Sequence, residues 1–188
     1  RLGDFQQAIE HLEAALPLYR ADGDAYALSQ LLQDLVTTYS QLGHHHKLSA
    51  FLQEAVALRR SLGSPSPLAF ALNNLGYFYH RCGDYQQALF TLEEGISVVT
   101  RISDKRAEGY LLWSLGDLKR DLGAFNEALR LYHKALELTG TSEPSLRCSI
   151  LINSSTLKRW QGKIQEAISL AEEARILAQS HSLAVDEN

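Results

Sequence analysis

The sequence predicts an all-α protein, a right-handed solenoid of about four and a half helix–turn–helix units. The first observation is a fixed period, since Gly3, Gly43, Gly83, Gly123 and Gly162 are separated by 40, 40, 40 and 39 residues. The second is that four of these glycines begin similar segments with alanine five residues later: GDFQQAIEHLEAA, GDYQQALFTLEEG, GAFNEALRLYHKA and GKIQEAISLAEEA. Self-similarity at this period indicates a repeat array.

The stretch Leu72–Gly95 contains one complete unit. Its apolar and small residues recur at the helical spacing that puts them on one face: Leu72, Leu75, Gly76 and Tyr79, then Tyr85, Ala88, Leu92 and Gly95. Between the two sets, Gly83 can adopt the left-handed conformation that ends a helix. Asp84 can cap the next helix, with Gln87 completing a capping box. The unit is therefore predicted to be two antiparallel helices joined by a tight turn.

Breaks in this pattern divide the chain, which is expected to be a single array. The repeat units are approximately residues 1–21, 22–63, 64–103, 104–141 and 142–188. The first helix covers residues 4–20 and should kink or end near Leu16, because Pro17 cannot continue the helical hydrogen bonding. Later helices are predicted over residues 104–122, 125–139, 144–161 and 164–180, which gives nine helices and no strand.

Composition and charge exclude some classes of partner. The 18 basic and 22 acidic residues give a net charge of −4, which offers no general attraction to nucleic acid or anionic lipid. No apolar run approaches the length of a transmembrane helix, so no membrane contact is expected. Cys82 and Cys148 form no CxxC pair and are expected to be small, buried or half-buried residues in a reducing, cytoplasmic compartment.

No pattern in the sequence indicates catalysis, a cofactor or a metal. The run His44–His46 lies in a predicted turn, where three consecutive side chains point in different directions, so a solvated turn is favoured over a metal site. The sequence contains no nucleophile elbow, phosphate-binding glycine loop or HExxH motif. The protein is therefore expected not to be an enzyme.

The order Leu75-Gly76, Tyr79, Gly83-Asp84-Tyr85 and Ala88 resembles the tetratricopeptide repeat, although the period is about 40 residues instead of 34. Units extended in this way resemble those in the sensor arm of MalT-type bacterial transcription regulators and in LGN-type adaptors. The segment AEGYLLWSLGDL, Ala107–Leu118, is similar to segments of those arrays. The resemblance implies a tetratricopeptide-like fold in which the first helix of each pair lines a concave groove.

Applied position by position, the resemblance assigns a set of groove residues on the first helices. They are Asn73, Asn74, Tyr77, Arg81, Tyr110, Trp113, Asp117, Arg120, Asn153 and Arg159. Aromatic, arginine and amide side chains of this kind anchor interfaces. The alternative is that the aromatic residues pack between neighbouring helices and that the arginines are solvated or paired with aspartate. The centre of recognition is predicted between the Tyr77 helix and the Trp113 helix.

Two classes of function remain open. In the first, the chain is the regulatory arm of a larger bacterial transcription factor, and its groove binds a protein, a peptide or a small polar inducer. In the second, it is a protein-interaction scaffold that recognises an extended peptide. Because the sequence starts at Arg1 within a repeat turn, we expect a fragment of a longer protein, with exposed apolar end faces that favour end-to-end self-association.

Overall fold

The computed structural model describes residues 2–42 and 47–181. This part of the chain forms nine α-helices and no strand: α1 (Leu2–Asp22), α2 (Ala25–Gln41), α3 (Leu48–Ser61), α4 (Pro65–Arg81), α5 (Tyr85–Ile102), α6 (Lys105–Asp121), α7 (Phe125–Thr139), α8 (Pro144–Trp160) and α9 (Ile164–Ser180). The all-α prediction is confirmed, and α7 and α9 have the predicted bounds. The turn at Gly43 and the run His44–His46 lie outside the described residues.

The sequence predicts that the first helix kinks or ends near Leu16. It does not end there, because α1 continues through Pro17 to Asp22. Proline inside a helix removes one hydrogen bond and typically costs about 3 kcal/mol. Packing offsets this cost. Ile9 and Leu16 are only 3% and 7% exposed and belong to the core that also contains residues of α2, α3 and α4.

The chain divides into two compact units, Arg1–Val98 and Val99–Asn188, here called unit 1 and unit 2. In unit 1, α2 packs against α1 and α3, and α3 packs against α4. Leu32, Leu35 and Tyr39 of α2 are at most 3% exposed and are central to this core. The first helices α2 and α4 are held over α3, which positions the polar groove described below.

In unit 2, α6 packs against α7 and α8 packs against α9. Tyr132 of α7 is the largest side chain that is fully buried there. Cys148 is buried in a smaller α8–α9 cluster, as predicted, and its thiol lies 3.6 Å from the carbonyl oxygen of Ala174. Cys82 is exposed instead, because it lies at the C-cap of α4, where the helix and its buried face end.

The predicted turn between α4 and α5 is confirmed, but the capping box is incomplete, because the Asp84 N–H donates to the Tyr79 carbonyl at 2.9 Å. Gly83 has a φ of +80°, in the left-handed region that favours glycine. The N–H of Gln87 donates a hydrogen bond to Asp84 Oδ1 at 3.2 Å, which caps the start of α5. Among the described glycines of the 40-residue period, Gly83, Gly123 and Gly162 all have positive φ. This shared geometry explains why the glycine period is the strongest signal in the sequence.

The α4/α5 and α6/α7 pairs approach closely at glycines of their first helices. A methyl group added to Gly76 of α4 would lie 2.7 Å from Leu92 Cγ, and one added to Gly116 of α6 would lie 2.5 Å from the ring of Tyr132. In the last pair the equivalent residue is Ser155, and its hydroxyl donates a hydrogen bond to the Ala167 carbonyl at 2.8 Å. The departure from glycine is therefore accommodated by a hydrogen bond between α8 and α9.

We predict that Gly76→Ala destabilises the protein by about 1–3 kcal/mol, because the new methyl group overlaps Leu92. In a Leu92→Ala background the space is available, and alanine favours a helix over glycine by about 1 kcal/mol. Gly76→Ala should then become stabilising. Urea denaturation followed by circular dichroism measures both effects. If the substitution is destabilising in both backgrounds, the close approach is not its cause.

Candidate functional site

The predicted groove residues lie on three helices. Asn73, Asn74, Tyr77 and Arg81 are on α4 in unit 1, whereas Tyr110, Trp113, Asp117 and Arg120 on α6 and Asn153 and Arg159 on α8 belong to unit 2. The two sets have different environments within their own units. The set in unit 1 lines open cavities, and most of the set in unit 2 is committed to internal hydrogen bonds.

Two neighbouring cavities of about 420 Å³ and about 450 Å³ lie between α2 and α4 in unit 1. They share Gln33 and Asn74 and together form what we call the α2/α4 groove. The described residues that line the first cavity are Gln33, Val36, Thr37, Ser40, Gln41, Leu48, Leu52, Asn74, Tyr77, Phe78 and Arg81. Those that line the second are Ser29, Gln30, Gln33, Ala55, Arg59, Ser66, Pro67, Phe70, Ala71 and Asn74.

An amide pair bridges the groove where the two cavities meet. Asn74 Nδ2 donates a hydrogen bond to Gln33 Oε1 at 3.1 Å. Gln33 Nε2 lies 3.5 Å from the hydroxyl of Thr37, at the limit of a hydrogen bond. No described residue donates to Asn74 Oδ1. The bridge therefore leaves the Asn74 Oδ1 acceptor and the weakly bound Gln33 Nε2 donor available to a polar ligand in the groove.

The first cavity has a polar edge formed by Tyr77 and Arg81. The Tyr77 side chain is 45% exposed, and its ring meets the His80 ring edge-on at 6.4 Å between centroids. Arg81 is exposed, and its guanidinium makes no hydrogen bond or ion pair with any described residue. Both side chains are accessible from the cavity that they line.

The second cavity contains Arg59, a residue of α3 that the sequence reasoning missed. Its Nη2 donates to Gln30 Oε1 at 2.9 Å, and its guanidinium carbon is 5.9 Å from the centroid of the Tyr26 ring. The resemblance assigns groove positions only to first helices, so it does not predict an arginine near the end of a second helix. Gln33 and Thr37, whose i, i+4 spacing on α2 indicates a shared face, lie on the first-helix face that the resemblance assigns to the groove.

Asn73 lies apart from the two cavities. It is 9% exposed and lines neither of them. No described residue donates a hydrogen bond to its side-chain oxygen, which is buried. The groove within unit 1 therefore contains three of the four predicted α4 residues.

In unit 2, Asp117 is the centre of a buried network. Its Oδ1 accepts hydrogen bonds from the Tyr132 hydroxyl at 2.5 Å, Asn153 Nδ2 at 2.7 Å and Arg120 Nη1 at 3.2 Å. Asp117 is 7% exposed. The structure thus brings three predicted site residues together, but as mutual partners that stabilise the packing of α6, α7 and α8.

The electrostatics of this network agree with a structural role. Burial and the negative charge of Asp117 strongly raise the pKa of Tyr132, so its hydroxyl stays a neutral donor. Burial lowers the pKa of Arg120, but its hydrogen bond to Asp121 and the charge of Asp117 outweigh burial and raise it overall. Arg120 is already neutralised by these two carboxylates, so little of its charge is available to a ligand.

Tyr110 is also engaged inside unit 2. Its hydroxyl donates to Glu143 Oε2 at 3.0 Å, and Arg106 Nε donates to Glu143 Oε1 at 2.6 Å. Burial and the neighbouring Glu143 raise the pKa of the Tyr110 hydroxyl. Trp113 is half-buried, 6.5 Å from the Tyr110 ring, and no described residue accepts a hydrogen bond from its buried Nε1–H. Arg159 is exposed and has no ion-pair partner within the described residues.

Residues 2–42 and 47–181 contain neither a metal-binding cluster nor a membrane-spanning helix. No group of three or more His, Cys, Asp or Glu side chains is arranged to hold a metal ion in these ranges. None of the helices in the same ranges is both long and apolar enough to span a bilayer.

Two family models match the sequence. The Tetratricopeptide repeat model matches residues 67–139, and the model described as Anaphase-promoting complex subunit 5 matches residues 1–78 and 117–184. The helix pairs and these matches define the chain as a tetratricopeptide repeat array. Because the second model matches more than half of the chain, the chain belongs to the Anaphase-promoting complex subunit 5 family. No curated protein sequence matches it.

Several solved structures have the same fold. BtubC (BKLC) from P. vanneervenii is 19% identical, with a TM-score of 0.75 over 99% of this chain and 78% of the BtubC chain. The apo form of RapI is 13% identical, with a TM-score of 0.77 over 95% of this chain and 50% of RapI. A Rap protein complexed with Competence and Sporulation Factor is 13% identical, with a TM-score of 0.66 over 95% of this chain and 60% of the Rap chain. These likenesses confirm the predicted tetratricopeptide-like solenoid fold.

We predict that Tyr132→Phe destabilises the protein by about 1.5–3 kcal/mol, because a hydrogen bond to a buried carboxylate is lost. Tyr79→Phe is the matched control, since its exposed hydroxyl accepts only from Gln53 Nε2, at 3.0 Å. That control should change stability by less than about 0.5 kcal/mol. Thermal denaturation of both variants makes the comparison, and equal effects would contradict a structural role for the Asp117 network.

A second pair of variants tests whether Trp113 supports packing. Trp113→Ala should destabilise by about 3–5 kcal/mol. Trp113→Phe should stay within about 1.5 kcal/mol of the parent, because it keeps a ring and removes the buried N–H. The unfolding midpoint in urea reports both. If Trp113→Ala changes stability by less than about 1 kcal/mol, the side chain is an accessible groove anchor instead.

Proposed function

We propose that this chain is a non-catalytic binding module that holds an extended polypeptide segment in the α2/α4 groove. The observation that supports the proposal most directly is the Gln33–Asn74 bridge, which lies between two open cavities and offers groups to both. The exposed Tyr77 and Arg81 lie on the same helix as Asn74 and extend the polar surface. Tetratricopeptide arrays belong to the class of helical repeats that use extended concave surfaces for binding.

The length of the groove suits a short peptide. On α4 its lining residues extend from Ser66 to Arg81. With a helical rise of about 1.5 Å per residue, this stretch is about 22 Å long. An extended chain advances about 3.3 Å per residue, so the groove can contact about six or seven residues.

The chemistry of the bridge suits a peptide backbone. A side-chain amide has both a donor and an acceptor, as each peptide unit has. Asn74 Oδ1 can accept from a backbone N–H, and Gln33 Nε2 can leave its long contact with Thr37 to donate to a carbonyl. Contacts of this kind recognise an extended conformation and leave sequence preference to the side chains that enter the two cavities.

The comparisons support a role in binding other proteins or peptides. A solved neighbour with the same fold is a Rap protein in complex with Competence and Sporulation Factor. The family to which the chain belongs is named after a subunit of a multiprotein complex. The finer hypothesis of a MalT-type regulatory arm depends on the resemblance of Ala107–Leu118. It stays a prediction, which the presence of a DNA-binding helix-turn-helix domain in the same protein would support.

We predict that a displayed library of random peptides, about seven residues long to match the groove, contains ligands for this chain. Asn74→Ala and Gln33→Ala should each weaken a selected peptide by about fivefold or more, because a backbone hydrogen bond is lost. Titration calorimetry measures the affinities. Gln86→Ala, which removes an exposed amide on α5, is the control and should leave them unchanged.

Two results would contradict the proposal. One is a library that yields no ligand for the folded protein. The other is a set of ligands whose affinity falls with Gln86→Ala as much as with Asn74→Ala, since this would place binding outside the groove.

A further inference from the structure

We infer that the segment bound in the α2/α4 groove carries an acidic side chain that pairs with Arg81, together with an apolar side chain that enters the first cavity. This inference rests on the proposed function, because it specifies the chemistry of the segment. Three observations support it: the charges that line the groove, the lack of an ion-pair partner for Arg81 among the described residues, and the apolar floor of the first cavity.

The charge of the groove differs from that of the whole chain. Acidic residues outnumber basic ones by 22 to 18 in the sequence. Among the described lining residues of the two cavities, however, there is no Asp or Glu, and the charged side chains are Arg59 and Arg81. Asp34 follows Gln33 in sequence but lines neither cavity. The groove therefore favours an anionic group over a cationic one.

The two arginines are not equally available. Arg59 donates to Gln30 Oε1 and lies against the Tyr26 ring, so its guanidinium is already held. Elsewhere in unit 1, Arg20 and Arg60 pair with Glu54 and Glu94 at 2.6 and 2.5 Å. Arg81 has no such partner within the described residues.

A carboxylate is the group that best fits the Arg81 guanidinium. Its fork of N–H donors can bind both oxygens of a carboxylate at once, which lysine cannot do. Because Arg81 is exposed in the free protein, forming this pair leaves no buried charge without a counter-ion. The pair therefore adds affinity without a large desolvation cost.

The first cavity also selects an apolar side chain. Its floor includes Val36, Leu48 and Leu52, which are 7%, 3% and 3% exposed. Arg81 lines the same cavity, so the acidic and apolar side chains enter it from nearby positions of the segment. Side chains of an extended chain alternate between its two faces, so two that face the groove are separated by one residue. The expected pattern is an apolar residue and an acidic residue at positions i and i+2, in either order.

The experiment uses three libraries of short peptides that differ in one fixed residue, Glu, Gln or Lys, with the same random flanking positions. Binding to the folded chain is measured by fluorescence polarisation. We expect the Glu library to yield ligands about tenfold tighter than those of the Gln library, and the Lys library the weakest ligands. The best Glu peptides should have an apolar residue two positions from the fixed Glu.

A charge exchange at Arg81 assigns the preference to this residue. Arg81→Glu should weaken the best Glu peptide by about tenfold or more and improve its Lys counterpart, so that the order is reversed. Arg130→Glu is the matched control, because it makes the same charge change at an exposed position of α7 in unit 2. It should leave the order of the peptides unchanged.

The outcomes separate this inference from the proposed function. If ligands bind in the groove, as shown by their loss with Asn74→Ala, but prefer neither Glu nor Lys, the inference is wrong and the proposed function stands. The same holds if Arg81→Glu does not reverse the order. If no library binds, the proposed function itself is wrong.

Discussion

The close contact at a glycine between the two helices of the α4/α5 and α6/α7 pairs is the constraint on which the packing of these pairs depends. Gly76 faces Leu92 and Gly116 faces Tyr132, each at a distance that leaves no room for a further methyl group. Such contact fixes how a first helix lies on its partner. The face of the first helix opposite this contact is then free to carry polar groups, as α4 does in the α2/α4 groove.

Polar groups of the first helices fall into two kinds, those used by the fold and those left for a ligand. Tyr77 and Asp117 are 40 residues apart and occupy equivalent positions, yet Tyr77 is 45% exposed and Asp117 is buried. The polar partners at the two positions differ. Tyr132 brings a hydroxyl to Asp117, whereas the equivalent Leu92 brings no polar atom to Tyr77.

The fold could be predicted from sequence to a far greater extent than the site. Helix ends were predictable because Gly83, Gly123 and Gly162 carry local turn geometry, which does not depend on distant contacts. The passage of α1 through Pro17 was not predictable, because packing of Ile9 and Leu16 decides it. The repeat position indicated which face a residue occupies. It could not show that Arg120 is neutralised by Asp117 and Asp121, since those contacts depend on side-chain placement.

The two asparagine bridges show why unit 1 is the better place for a ligand. Asn74 and Asn153 occupy equivalent positions two repeats apart, and each donates to the preceding first helix. Asn153 donates to a carboxylate oxygen that also accepts from Tyr132 and Arg120, so its acceptor is saturated and the charge is balanced. Asn74 donates to the neutral amide of Gln33, which has only a long contact to Thr37 at its other end. Exchange of a hydrogen bond with a ligand therefore costs less at the Gln33–Asn74 bridge, because no buried charge loses a partner there.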